Sequence, residues 1–226
     1  MEPAELAALI DHTLLRPEAT AQEVEQLCQE AQQYGFGCVF THSIYVPLAA
    51  SILSGSGVRI GSVAGFPLGA VETQVKVAEA EVVLAGGGLE VDMVVQIGYL
   101  KGGELRKFRE DIESVVKVVR QKEGARVKAI LEVGLLTPEE VKKACELAVE
   151  AGVDFVKSCT GFGPRGVEVE DIRLLKDAVK GRAKIKASGG IRSLSQALLL
   201  LQAGADRLGT SASVNLIEEA LRIGTF

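Results

Sequence analysis

The feature that most restricts what this chain can fold into is an eightfold alternation along its 226 residues. Short runs rich in β-branched residues recur at 10–14, 38–41, 59–64, 91–95, 126–131, 154–157, 183–187 and 207–209. Segments with helical spacing separate them, over about 20–34, 71–85, 104–122, 138–151, 168–179, 193–203 and 212–222, and a short additional helix is expected over 3–9. Helix boundaries carry their own signals. Thr137-Pro138-Glu139-Glu140 combines a capping hydroxyl, a proline suited to the first helical position and acids at the positive helix end. Ser193-Leu194-Ser195-Gln196 has capping-box spacing. Gly35, Gly152 and Gly204 each stand where a left-handed cap would end a helix before the next strand.

Strands that alternate with helices form parallel sheets. Eight such units in a chain of this length predict a closed (β/α)₈ TIM barrel, with a short additional N-terminal helix, over an open doubly wound sheet. No linker rich in proline, serine or charge divides the chain, so one domain is expected over 1–226.

Composition narrows the function. Hydrophobic residues make up 47 % and charged residues 24 %, enough to bury a sizeable core. Thirty acidic against 25 basic residues leave a net charge of -5, the wrong sign for coating nucleic-acid phosphates. The absence of tryptophan removes the best platform for stacking bases. Cys28, Cys38, Cys145 and Cys159 show no C-x-x-C spacing, which suits free thiols in a reducing cytoplasm. No run is long and apolar enough to span a bilayer, and the N-terminus carries acids where a signal peptide carries basic residues. With only His12 and His42 no histidine-based metal site is expected, and chemistry falls to Lys, Asp, Glu or Cys.

Ionisable residues inside the strand runs need explaining, because a buried parallel strand should be apolar on both faces. Asp11, Asp92, Lys128, Glu132, Lys157 and Lys186 all lie in such runs or at their ends. Alternation groups Asp92 with Val94 and Gln96, Lys128 with Ile130 and Glu132, and Lys186 with Lys184 and Ser188. Any single lysine could be a wet strand end. As a set they point to the carboxyl ends of barrel strands, where such folds carry their active sites. Lys157 and Lys186 fall on consecutive strands, so mutual repulsion and burial should lower the pKa of one of them and leave an amine able to attack a carbonyl carbon. Asp92 would balance the remaining ammonium and relay protons.

Three strand ends run into small residues: 157–163, 188–192 and 209–213. Ordinary turn chemistry explains any one of them. Together, on the last three strands and with Arg192 nearby, they suit a phosphate ester held by backbone N–H groups and a helix start. Gly161-x-Gly163-x-x-Gly166 matches a dinucleotide-binding string, but Pro164-Arg165 interrupts it and no acid closes the next strand. Cys159 reads as a small buried hydrophobe. His12 reads as a hydrogen-bonded structural histidine or a polarising group beside Asp11.

The motifs IDHTLL, GFPLG, EVDMV, FVKSCTGFGPRG, KASGGIR and RLGTS occur in that order, and with them the chain resembles the deoxyribose-phosphate aldolase family over nearly its whole length. The resemblance implies a cofactor-free, metal-independent barrel that reversibly cleaves 2-deoxy-D-ribose 5-phosphate to acetaldehyde and D-glyceraldehyde 3-phosphate. It makes Lys157 the Schiff-base lysine, Asp92 and Lys186 the proton-transfer partners, and Asp11 a contact to substrate hydroxyls. Thr160, Gly161, Gly189, Gly190, Arg192, Gly209 and Ser211 are then expected around the substrate and its phosphate. The chain departs from the family pattern with KSCTG for KTSTG, Gln96 near a family asparagine, Phe40-Thr41-His42-Ser43 for C-[VI]-x-P, and Ala212 for a second serine. The alternatives are a related lysine-dependent aldolase acting on another sugar and a non-catalytic sugar-phosphate-binding barrel. The expected partners are a small-molecule sugar phosphate and aldehydes, with no nucleic acid and no membrane; a homo-oligomer is compatible with the sequence.

Overall fold

The computed structural model describes residues 1–224, so the last two residues of the expected domain, 225 and 226, lie outside it. Strands β1 (Ile10–Thr13), β2 (Cys38–Phe40), β3 (Arg59–Ala64), β4 (Glu90–Val94), β5 (Arg126–Ile130), β6 (Phe155–Lys157), β7 (Lys184–Ser188) and β8 (Arg207–Thr210) pair in parallel in chain order. β8 closes on β1, giving the (β/α)₈ barrel. Helix α1 (Pro3–Ala8) precedes the barrel, and α2 (Ala21–Tyr34) links β1 to β2. Then come α3 (Val46–Ile52), α4 (Thr73–Ala85), α5 (Ile97–Lys101), α6 (Leu105–Val119), α7 (Pro138–Glu150), α8 (Val169–Val179), α9 (Leu194–Ala203) and α10 (Ser213–Ile223). None of the described helices is long and apolar enough to cross a membrane.

Local chemistry explains most boundaries. Thr137 caps α7 by accepting the Glu140 N–H at 3.2 Å, while Glu140 Oε2 accepts the Thr137 N–H at 2.8 Å. Thr20 and Glu23 do the same for α2. Ser193 caps α9, but Gln196 Oε1 accepts the N–H of Arg192, one residue before the cap, and so anchors the β7–α9 loop. Gly35 and Gly204 end α2 and α9 with φ of 74° and 118°.

Two helices depart from the sequence expectation. α3 fills the β2–β3 crossing, where Pro47 and a short apolar stretch read as loop; Pro47 sits in the first turn of the helix, where its missing N–H removes no intrahelical bond. α5 is five residues long, started by the Gln96 side chain accepting the Gly98 N–H, too short to show periodicity.

The strands alternate cleanly between two surroundings. Ile10, Val39, Ile60, Val91, Met93, Val127, Ala129, Val156, Ile185 and Leu208 join the apolar layer beneath the helices. The alternate positions face the barrel axis, because Asp92 on β4 meets Lys186 on β7, and Phe40 on β2 meets Lys128 on β5, across non-neighbouring strands. Apart from Val63, Val94 and Ile130 near the strand ends, the interior therefore carries much charge and aromatic surface, where barrels of this type more often stack branched aliphatic side chains throughout.

Candidate active site

Buried charges persist only when paired, and the barrel interior is built on that condition. Asp11, Glu90, Asp92, Lys128, Lys157 and Lys186 are all at most 3 % exposed. Asp92 is the hub. Its Oδ1 accepts from Lys128 Nζ at 2.9 Å, and its Oδ2 accepts from Lys157 Nζ at 2.9 Å and from Lys186 Nζ at 2.8 Å. Lys128 also donates to Glu90 and stands 3.8 Å from Asp11. Lys186 is 2.5 Å from Asp11 Oδ2, and Arg207 donates to Asp11 Oδ1 at 2.9 Å. Arg59 donates to Glu90 at 2.6 Å from the amino end of β3.

The three lysines are thus held unequally. Lys128 meets three carboxylates, Lys186 two, and Lys157 only Asp92, which it shares. Burial pulls the Lys157 amine down to about 8; Asp92 resists this, and repulsion from Lys186 and Lys128 reinforces it. Burial acts the same way on Lys128, but Asp92, Glu90 and Asp11 outweigh it and hold that ammonium well above the usual lysine range. Burial would raise Asp92, yet the three lysines keep it far below the usual carboxylate range.

A cleft of about 560 Å³ opens at the carboxyl ends of the strands. Of the three network lysines, Lys157 lines it. Asp92 contacts Lys157 from the interior and Lys186 contacts Asp92, neither lining the cleft, while Asp11, expected at substrate hydroxyls, is fully buried beside Lys186, where it holds that ammonium and Arg207. Thr160, Gly161, Gly189, Gly190, Arg192, Gly209 and Ser211 all line the cleft as one continuous wall. The Thr160 hydroxyl is already engaged, donating to Glu132 and accepting the Phe162 N–H at 3.0 Å. Gly209 also has a second use: a Cβ there would stand 2.7 Å from Lys186 Cε. The Arg192 side chain is exposed and has no ion-pair partner among the described residues. Ala212 does not line the cleft, and its N–H is held by Thr210 Oγ1 at 2.9 Å. α10 starts with no side-chain cap, so its positive end is open beside Ser211.

The remaining candidates are held by their neighbours. His12 lies on the helix-facing side of β1, its Nε2 2.7 Å from Glu30 and its ring 4.8 Å from that of Phe36; it also lines the cleft, and burial pushes its pKa down. Burial, with the charge of Glu132 next, pushes the Cys159 thiol up to about 12, which removes it as a nucleophile. Asp11, Cys38 and Glu90 place three potential metal-ligand atoms within 4.8 Å of one another, but both carboxylates already hold lysine or arginine groups. Sequence reasoning left three participants without a role. Glu90 falls just before the strand run read at 91–95 and enters only as the first letter of the EVDMV motif. Lys128 reads only as one member of the charged set, without a role of its own. Phe40, noted only as a departure from the family, lays its ring 3.8 Å from Lys186 Nζ and 4.4 Å from Lys128 Nζ.

A closed parallel barrel with a cleft at its carboxyl end and a destabilised lysine ammonium at the cleft floor defines a TIM-barrel enzyme. The chain belongs to the DeoC/LacD family of aldolases, whose model matches residues 6–215. It is 50 % identical over 218 residues to a deoxyribose-phosphate aldolase of Thermococcus gammatolerans, covering 96 % of each chain. It is 49 % identical over 214 residues to one of Carboxydothermus hydrogenoformans, covering 94 % of each. Among solved structures it is similar to an aldolase designated QR15, with a TM-score of 0.91, 38 % identity and 96 % of each chain covered. It is also similar to a deoxyribose phosphate aldolase from Aeropyrum pernix described as a unique tetramer, with a TM-score of 0.91 and 35 % identity over 98 % of this chain and 93 % of that one.

Proposed function

We propose that this aldolase reversibly cleaves 2-deoxy-D-ribose 5-phosphate to acetaldehyde and D-glyceraldehyde 3-phosphate through a Schiff base on Lys157. The observation that carries the reading is the position of Lys157: alone among the three network lysines it lines the cleft, and it has the fewest carboxylates around it. With a pKa near 8, about a tenth of its amines are neutral at pH 7, a usable supply of nucleophile.

The amine attacks C1 of the open-chain sugar, and loss of water gives a protonated imine. Removal of the C3 hydroxyl proton lets the C2–C3 bond break. Its electron pair flows into the imine to form an enamine, and the phosphorylated three-carbon aldehyde leaves. A proton delivered to C2 and hydrolysis then release acetaldehyde and restore the amine. Asp92 and Lys186, in contact with Lys157 or with each other at 2.8–2.9 Å, are the groups placed to move these protons. Asp11 serves by fixing Lys186. The phosphate fits the wall formed by Gly161, Gly189, Gly190, Gly209 and Ser211, closed by Arg192 and the open start of α10. Four buried free cysteines suit a reducing cytoplasm.

Borohydride reduction in the presence of acetaldehyde, followed by peptide mapping, tests the assignment. A two-carbon adduct on Lys157 is expected; an adduct on Lys186, or none, overturns it. Cleavage of a panel of sugars and their 5-phosphates fixes the substrate.

A further inference from the structure

Two described non-glycine residues adopt a positive φ. Lys180 does so as the exposed C-cap of α8, where the left-handed conformation is routine. Glu132 does so, at φ 54° and ψ 63°, just past the carboxyl end of β5, with only 3 % of its surface exposed. Glycine would take up that backbone without strain. A glutamate there adds a buried carboxyl group, and its Oε1 has no hydrogen-bond partner. Strain and an incompletely satisfied buried oxygen at one residue call for a reason in its side chain.

The side chain points to one. Its Oε2 accepts the Thr160 N–H at 3.1 Å and also the Thr160 hydroxyl. Gly163 lies so close that a Cβ there would fall on the Glu132 carboxyl group. Two residues further along, a Cβ on Gly134 would meet Arg165 Cγ at 3.1 Å and Pro164 Cγ at 3.2 Å. The β6–α8 loop therefore rests on the β5–α7 connection at two successive points. The contact continues to the next loop, since a Cβ on Gly166 would meet the Gly189 carbonyl oxygen at 2.8 Å and one on Gly189 would meet Cys159 Cβ at 3.0 Å.

We infer that Glu132 is a positioning residue that braces the β6–α8 loop at Thr160, and through it the Gly189 turn, so that Gly161, the next residue, is held in place as part of the phosphate-binding wall. It touches no substrate, and it acts through Thr160. The inference rests on the phosphate reading of this wall given under Proposed function, whereas the bracing itself can be read without substrate.

Glu132→Gly removes the carboxyl group and relieves the left-handed backbone, so its melting temperature should be at or near that of the parent. Amide exchange at Thr160 should nevertheless become at least tenfold faster, and KM for 2-deoxyribose 5-phosphate should rise about tenfold, with a much smaller change for unphosphorylated 2-deoxyribose. Glu132→Gln, which keeps one acceptor oxygen, should restore most of the Thr160 protection. Thr160→Val, which removes only the hydroxyl, should reproduce a smaller rise in KM and serves as the decisive variant if Glu132→Gly does not fold. Unchanged Thr160 exchange in folded Glu132→Gly, or equal loss on both substrates in Thr160→Val, overturns the inference. If the parent enzyme does not act on the phosphate ester, the functional reading fails, and the exchange measurements still decide whether Glu132 braces the loop.

Discussion

Replacing Asp92 by asparagine separates two roles that the geometry assigns to one carboxylate. Asp92 keeps Lys157 from losing its proton too readily, and it is placed to carry protons during turnover. For unit charges 2.9 Å apart, Coulomb's law at an effective dielectric of about 20 gives roughly 6 kcal/mol. Lys128 and Lys186 share that carboxylate and the amide dipole replaces part of it, so a fall of at least about one unit in the Lys157 pKa is a conservative expectation. The sign follows directly: losing a counter-ion favours the neutral amine. At pH 6.5 about 3 % of the parent amines are neutral, and a fall of one unit raises that to about 24 %. Borohydride trapping of acetaldehyde on Asp92→Asn should then be roughly eightfold faster at pH 6.5, with its pH midpoint moved toward acid. Turnover should move the other way, by about 10²–10⁴-fold, because the amide cannot exchange protons.

The same substitution leaves three buried lysines with one fewer carboxylate, which at such sites destabilises by about 3–5 kcal/mol. Melting at pH 7 checks that the variant is folded. The defect should shrink by pH 9, where Lys157 is neutral. Trapping and turnover that fall together, with the midpoint moved toward alkali, would refute this reasoning. Near-normal turnover in the folded variant would show that Asp92 carries no essential proton.

Lys157→Met should remove activity yet stabilise the fold: with its pKa near 8 against an ordinary 10.5, the penalty is fully present below pH 8 and is lost as pH rises from 8 to 10.5, because the unfolded chain then binds a proton that the folded one lacks. The gain at pH 7 is at most about 3 kcal/mol, or several degrees in Tm, and an unchanged or lower Tm refutes it. Arg192→Ala should raise KM for the 5-phosphate about tenfold or more while leaving Tm and cleavage of 2-deoxyribose nearly unchanged, since the side chain is exposed on the cleft wall without an ion-pair partner among the described residues; equal effects on both substrates would take it out of the phosphate wall.

What the sequence made legible was period and punctuation. The eight strand runs, the glycine stops and the Thr137 and Ser193 caps depend on neighbours within a few residues, and all appear in the fold. α3 and α5 escaped because seven- and five-residue helices barely complete a period. Glu132 escaped for a different reason. Alternation gave it a face, but neither its backbone sign nor its contact with Thr160, 28 residues away, is written in local spacing.

Depth along the barrel axis was the missing coordinate, and it decides the chemistry. Alternation places Asp11, Asp92, Lys128, Lys157 and Lys186 inward without saying which reaches the cleft. The register and the cleft together do: Lys157 pairs in the ladder with Ile130 on one side and Lys186 on the other, and of these two lysines Lys157 lines the cleft while Lys186 is held by Asp11 and Asp92. The same register joins two sequence observations that look unrelated. Phe40, read only as a departure from the family, pairs with Gly61, and any Cβ on Gly61 would fall on the Phe40 ring. Glycine at 61 is what lets an aromatic ring occupy the axis and cover Lys186 and Lys128. With those two ammonium groups held by ring and carboxylates, the amine that meets a single carboxylate, and that burial pulls down to about 8, is the one at the cleft. The reactive lysine is therefore selected by the number of carboxylates each lysine meets, a property of the closed barrel that no single strand encodes.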